Sequence, residues 1–222
     1  MTVLHLADEG EAADLAAFLS RLLHYDRGAA VRLQAAGTAL AVFGRPPSFE
    51  VLAIRAARLA KPYENGLDAT LDATVSAGEL LESVDETGAT AVVPGAVTGP
   101  PWAGVLPPRG GWRPVPGLPA PEALQAMVGA GVAEFRARTG ELADEGRTRA
   151  ELDRIGREIW SRTVGDTHLP VRAVHAAQSL GFLRATGDLA LLSSGAWLRL
   201  RTPYGSIAVR RAGLGALDVS VR

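Results

Sequence analysis

The side chains best suited to chemistry in this chain of 222 residues are arginines and a few neutral donors near its C-terminal end. Arg172, His175, Gln178 and Ser179 recur at helical spacing and share the polar side of one helix. Arginine can pair with guanine, and glutamine with adenine, through two hydrogen bonds each, so this face would suit base edges in a major groove. Further on, Trp197, Arg199 and Arg201 alternate onto one face of a strand, and Arg210 and Arg211 end the next one. Guanidinium groups placed there would neutralise phosphates beside the helix. The charge distribution points the same way. Residues 1 to 120 carry nine Lys/Arg against 13 Asp/Glu, a net of −4, whereas residues 121 to 222 carry 14 against 11, a net of +3. Alternating polar residues are nevertheless what any half-buried hairpin shows, and an exposed polar face is required of every amphipathic helix.

Other chemistries find less support. The chain has no cysteine, which removes thiolate nucleophiles, disulfides, Fe–S clusters and cysteine-ligated zinc together. His5, His24, His168 and His175 are far apart, with no carboxylates at ligand spacing, so neither metal nor cofactor is expected. There is no Walker loop, G-x-G-x-x-G, H-E-x-x-H or G-x-S-x-G. The acid pairs Asp85-Glu86 and Asp144-Glu145 fall among polar neighbours where both would be solvated. The His24-Tyr25-Asp26-Arg27 cluster reads as a helix C-terminal cap. No catalytic residue is expected. Trp102 and Trp112 stand in a segment rich in proline and glycine, and their large rings favour a surface to lie on. They would either wrap one side of an N-terminal sheet or contact a protein partner.

The elements that must position these residues follow from periodicity. Residues Gly10 to Leu23 form an amphipathic helix with Leu15, Phe18, Leu19, Leu22 and Leu23 on one side. Three strand-like runs follow, Ala29 to Gln34, Thr38 to Phe43 and Phe49 to Ile54 with an extension toward Leu59, joined by short turns that favour an antiparallel meander. Ser76-Ala-Gly-Glu79 is a capping box starting a short helix to Val84. No regular element is expected between Pro94 and Pro121. Pro121 then opens a helix with Leu124, Met127, Val128, Val132 and Phe135 in one stripe. Thr148-Arg-Ala-Glu151 caps a second, and Pro170 opens a third that Gly181 ends. Leu189 to Leu192, Ala196 to Arg201 and Ser206 to Arg211 read as strands. The organisation is thus an α+β chain: a helix-plus-antiparallel-sheet domain over 1–95, a connecting segment over 96–120, and a helical unit closed by a β-hairpin over 121–222.

Three helices followed by a hairpin, with the run Val174-His-Ala-Ala-Gln-Ser-Leu-Gly-Phe-Leu183, resemble a winged helix-turn-helix over about residues 121 to 211. The gap between the second and third helices is longer than the three or four residues of a simple helix-turn-helix. Arginine supplies all the basic residues but Lys61, and the phrases Ala41-Val-Phe-Gly-Arg-Pro-Pro-Ser-Phe49 and Arg201-Thr-Pro-Tyr-Gly-Ser-Ile207 resemble a protein family of high-GC actinobacteria. No stretch has the length and hydropathy of a membrane span, and Met1 to Glu9 lacks signal-peptide character, so the expected location is the cytoplasm. The leading expectation is a non-enzymatic regulatory protein binding double-stranded DNA through its C-terminal domain, with the N-terminal domain serving association or small-ligand sensing. The alternative is a protein-interaction or scaffold module without nucleic-acid binding, using the Trp102 to Trp112 segment and one sheet edge toward a protein partner or in a homodimer.

Overall fold

The computed structural model describes residues 2–60, 70–184 and 187–211. The alternation of apolar and polar residues along Val31, Leu33 and Ala35 directs one face of the first long strand, β2 (Ala30–Ala36), inward. Its partner β3 (Ala39–Gly44) returns through a two-residue turn in which Gly37 adopts φ +59°, a conformation that costs glycine little. β4 (Leu52–Arg58) completes the expected meander after a single 3-10 turn at Pro47–Phe49, and β5 (Leu71–Ser76) pairs with the other side of β2.

The sheet does not stop there. β9 (Ala190–Ser194), β10 (Trp197–Thr202) and β11 (Gly205–Arg210) form a second antiparallel meander. β11 pairs with β4, setting Ala53 opposite Ile207 and Leu52 opposite Ala208. A short strand, β8 (Arg113–Val115), is added beside β9. The result is one open eight-stranded sheet in the order β5-β2-β3-β4-β11-β10-β9-β8. The fold is α+β, and residues on either side of the connecting segment share this sheet. A small separate sheet joins β1 (Val3–His5), β7 (Thr90–Val92) and β6 (Val84–Asp85).

The helices cover one face of the large sheet, called here the inner face. α1 (Glu9–Tyr25) is capped by Asp8, whose carboxylate accepts from the Glu11 amide, and buries Leu15, Phe18, Leu19 and Leu22. α2 (Ala77–Glu82) starts at the Ser76 cap and packs on α1. α5 (Val171–Ser179) lies against β11 and buries Val171, Ala173, Val174, Ala176 and Ala177. Gly181, at φ +73°, closes α5. α3 (Pro121–Gly140) and α4 (Arg149–Trp160) pack on α5 and on each other, approaching so closely that a Cβ on Gly131 would meet the Trp160 ring at 2.8 Å. Fully burying each of these large apolar side chains contributes roughly 1.5–3 kcal/mol.

Arg55 ties the inner face together. It is buried on β4, and its guanidinium donates to Glu11 at 3.1 Å, to Asp14 at 3.0 Å and to the carbonyl of Tyr204 at 2.8 Å. One side chain therefore links α1, β4 and the turn between β10 and β11.

Candidate functional site

Antiparallel sheets with helices on one side usually leave the other face to water. Here the outer face carries a second apolar cluster of Phe43, Leu52, Ile54 and Ala208, against which Ala41, Trp102, Leu106 and Trp197 pack. The segment between β7 and α3 crosses that face as a strap. It is pinned to edge strand β5, where the Val97 amide donates to the Thr74 carbonyl at 2.9 Å. A 3-10 turn at Pro101–Gly104 lowers Trp102 onto the cluster. The strap then reaches β8 at the opposite edge of the sheet. Its prolines suit the path, because a chain crossing a face without pairing to it would otherwise leave amide donors unmatched. Trp112 is half-buried, and its indole N–H donates to the Pro108 carbonyl at 3.0 Å. The expected irregular segment is thus irregular except for the 3-10 turn and β8, and both tryptophans lie on protein.

Two depressions flank the strap. The first, of about 390 Å³, has a floor of Ala39, Ala41, Phe43, Ile54 and Ala56, and Pro107, Pro108 and Arg109 on one wall. Arg199 and Asp72 also line it. Asp72 is already engaged: Arg32 Nε donates to it at 2.7 Å and Gln34 at 3.3 Å. The Arg32 hydrogen bond, above all, holds its carboxyl below the usual aspartate value. The second depression, of about 470 Å³, is bordered by Val97, Pro100 and Trp102 together with Asp26 and Arg45.

The residues expected to read DNA do not form one surface. Arg199 and Arg201 project from the outer face, where Arg199 pairs in register with Ala208 of the outer cluster. α5 lies on the inner face, packed with Leu198, Leu200, Ile207 and Val209. The sheet therefore separates the supposed recognition helix from the supposed phosphate contacts. The polar side of α5 is also turned to protein. His175 stacks on Trp160 at 4.4 Å between ring centroids and meets Phe49 edge-on at 5.0 Å. Burial holds its pKa below the ordinary histidine value. Arg172 faces Glu50 at 4.0 Å, Ser179 is half-buried, and only Gln178 among the four is exposed. In the strands Arg210 is exposed, while Arg211 donates through its guanidinium to the Gly195 carbonyl and steadies the β9–β10 turn.

The winged-helix DNA-binding regulator is therefore corrected. The would-be wing is built into the middle of a sheet, and the would-be recognition helix is a core helix. Sequence periodicity found the helix and the alternation of Trp197, Arg199 and Arg201 but missed β11's second partner. Missed too were Arg109 and the alanine floor beside Arg199. In the structure Gly205 to Val209 is buried without interruption, as a strand covered on both faces must be.

Among the described residues no group of three or more metal-ligating side chains gathers, and no helix is long and apolar enough to cross a membrane. Comparison with solved structures finds similarity to a DNA polymerase sliding clamp from Pseudomonas aeruginosa, determined with ligand. Identity is 12% at a TM-score of 0.46, with 94% of this chain and 64% of the clamp chain covered. The chain thus spans under two thirds of the clamp's length. No curated protein matches. Residues 1–104 are similar to the family model described as Domain of unknown function (DUF8010), and residues 107–214 to that described as Domain of unknown function (DUF8185).

Proposed function

We propose that this chain is a non-enzymatic protein-association module without nucleic-acid binding, that the strap is its contact surface, and that the occupant is a second copy of the chain. The observation that carries the reading is where apolar surface remains exposed. Among the described residues, Val97 and Val105 are the two most exposed large apolar side chains, at 39% and 50%. Both stand on the strap, one on each side of Trp102. Exposed apolar side chains gathered round an aromatic anchor are the usual centre of a protein contact.

Charge supports a like copy as the partner. The depression beside Trp102 is bordered by one acid, Asp26, and one base, Arg45, so a twofold-related copy could set each against its opposite. The net charge of −1 opposes self-association little. Sedimentation velocity from low to high micromolar concentration tests the reading. The wild type should show a rising sedimentation coefficient, and the double variant Val97→Asp with Val105→Asp should stay monomeric at unchanged thermal stability. A wild type that remains monomeric over the whole range, or a double variant that associates equally well, contradicts it. In parallel, fluorescent duplex DNA at low salt should show no saturable binding.

A further inference from the structure

The depression on the β2–β4 side of the strap uses neither Val97 nor Val105, and it has a different character. Its floor lies low because outward positions at one end of the β3–β4 pair are alanine. Ala39, Ala41 and Ala56 leave the space, and the larger Phe43 and Ile54 close the other end of the floor. Its volume, about 390 Å³, falls in the range of small-molecule sites. Asp72 is the one carboxylate among its described lining residues, and it is held by Arg32 and Gln34.

Arg109 and Arg199 also line the cavity, and neither makes an ion pair with a carboxylate among the described residues. Arg199 is half-buried beside the Trp112 ring, its Cζ lying 5.7 Å from the centroid, and its Nε is buried with no hydrogen-bond acceptor. A partly desolvated guanidinium with an unused donor beside an apolar cavity is costly unless an anion completes it.

We infer that this cavity is a binding site for a small amphipathic monocarboxylate, its apolar body over the alanine floor and its carboxylate on Arg199, with Arg109 at the rim. A single negative charge suits the site better than a phosphate dianion. Asp72 stands in the same lining and would repel a second charge, and the largely apolar walls would leave it unsolvated. Planar guanidinium groups match a carboxylate through two parallel hydrogen bonds.

Isothermal titration of the full chain with decanoate, below its micelle concentration, and with decan-1-ol as neutral counterpart tests the inference. Decanoate should bind with one-to-one saturation, and decan-1-ol about tenfold more weakly or worse, the factor that a charge-assisted hydrogen bond provides. Arg199→Met should weaken decanoate by a similar factor while leaving decan-1-ol unchanged, and Ala41→Leu, which fills the floor, should abolish both. Arg109 is exposed, so Arg109→Met should leave stability within about 0.5 kcal/mol of the wild type and lower decanoate affinity by a smaller factor. Absence of saturable decanoate binding overturns the site. So do equal affinities for acid and alcohol, decanoate affinity indifferent to Arg199, or binding that survives Ala41→Leu in a folded variant.

Discussion

Ile207→Ala probes the junction between the two meanders. Ile207 is completely buried in β11, between Ala53 of β4 and Leu200 of β10, on the face covered by the helices. The substitution removes three carbons. At about 0.8 kcal/mol each, their transfer accounts for roughly 2.4 kcal/mol, and the cavity left in a central strand with little freedom to collapse adds to that. The expected total is about 3.5 kcal/mol, which lowers the melting temperature of a chain this size by roughly 10 °C. Calorimetry should show one transition, displaced as a whole. Hydrogen exchange should quicken in β3 of the N-terminal meander as well as in β10, because β4 and β11 are paired neighbours in one sheet. Two calorimetric transitions, with only the later residues destabilised and β3 exchange unchanged, would refute the reasoning and leave two independent domains.

Arg55→Ala removes three hydrogen bonds, two of them to carboxylates, from a buried side chain. Glu11 keeps Arg58 and the more exposed Asp14 can rehydrate, so denaturant unfolding should report a loss of about 2–3 kcal/mol. Arg55→Lys should recover only part of it, since one ammonium lacks the guanidinium's planar fork of donors; full recovery would contradict this account. His175 gives a pH dependence of defined sign. Its folded pKa is depressed by burial, so the unfolded chain binds the proton more readily. The stability it permits is full above the ordinary histidine value of about 6.5 and is lost as pH falls below it. The wild-type melting temperature should therefore fall between neutral pH and pH 5.5, and His175→Phe, which keeps an aromatic ring against Trp160, should reduce that fall. An unchanged fall would remove His175 as its source.

Local signals in the sequence carried much of this fold. The serine and threonine caps at Ser76 and Thr148 are formed, each hydroxyl accepting from the amide three residues on, and the helices begin where those caps place them. Gly181 ends the third long helix of the C-terminal part because its left-handed conformation suits glycine. The pairing of β4 with β11 was not legible, since its partners lie about 150 residues apart and no turn encodes it. Arg172 and His175 stand on the less buried side of α5. Their partners Glu50, Phe49 and Trp160 come from other elements, so periodicity could not distinguish an open polar face from one closed by tertiary contacts. The cavity was hidden for a related reason. In an alanine-rich chain, Ala39, Ala41 and Ala56 read as composition, and only the register of β3 on β4 turns them into a shape.

The account rests most directly on the strap being a contact surface between copies. Hydrogen–deuterium exchange compared between dilute and concentrated protein tests this, because association protects amides where it occurs. The account predicts slowed exchange at high concentration within residues 95–106, which carry Val97, Trp102 and Val105, with α5 and β10 unchanged. Exchange independent of concentration throughout, or protection gathered on another face of the molecule, would contradict it.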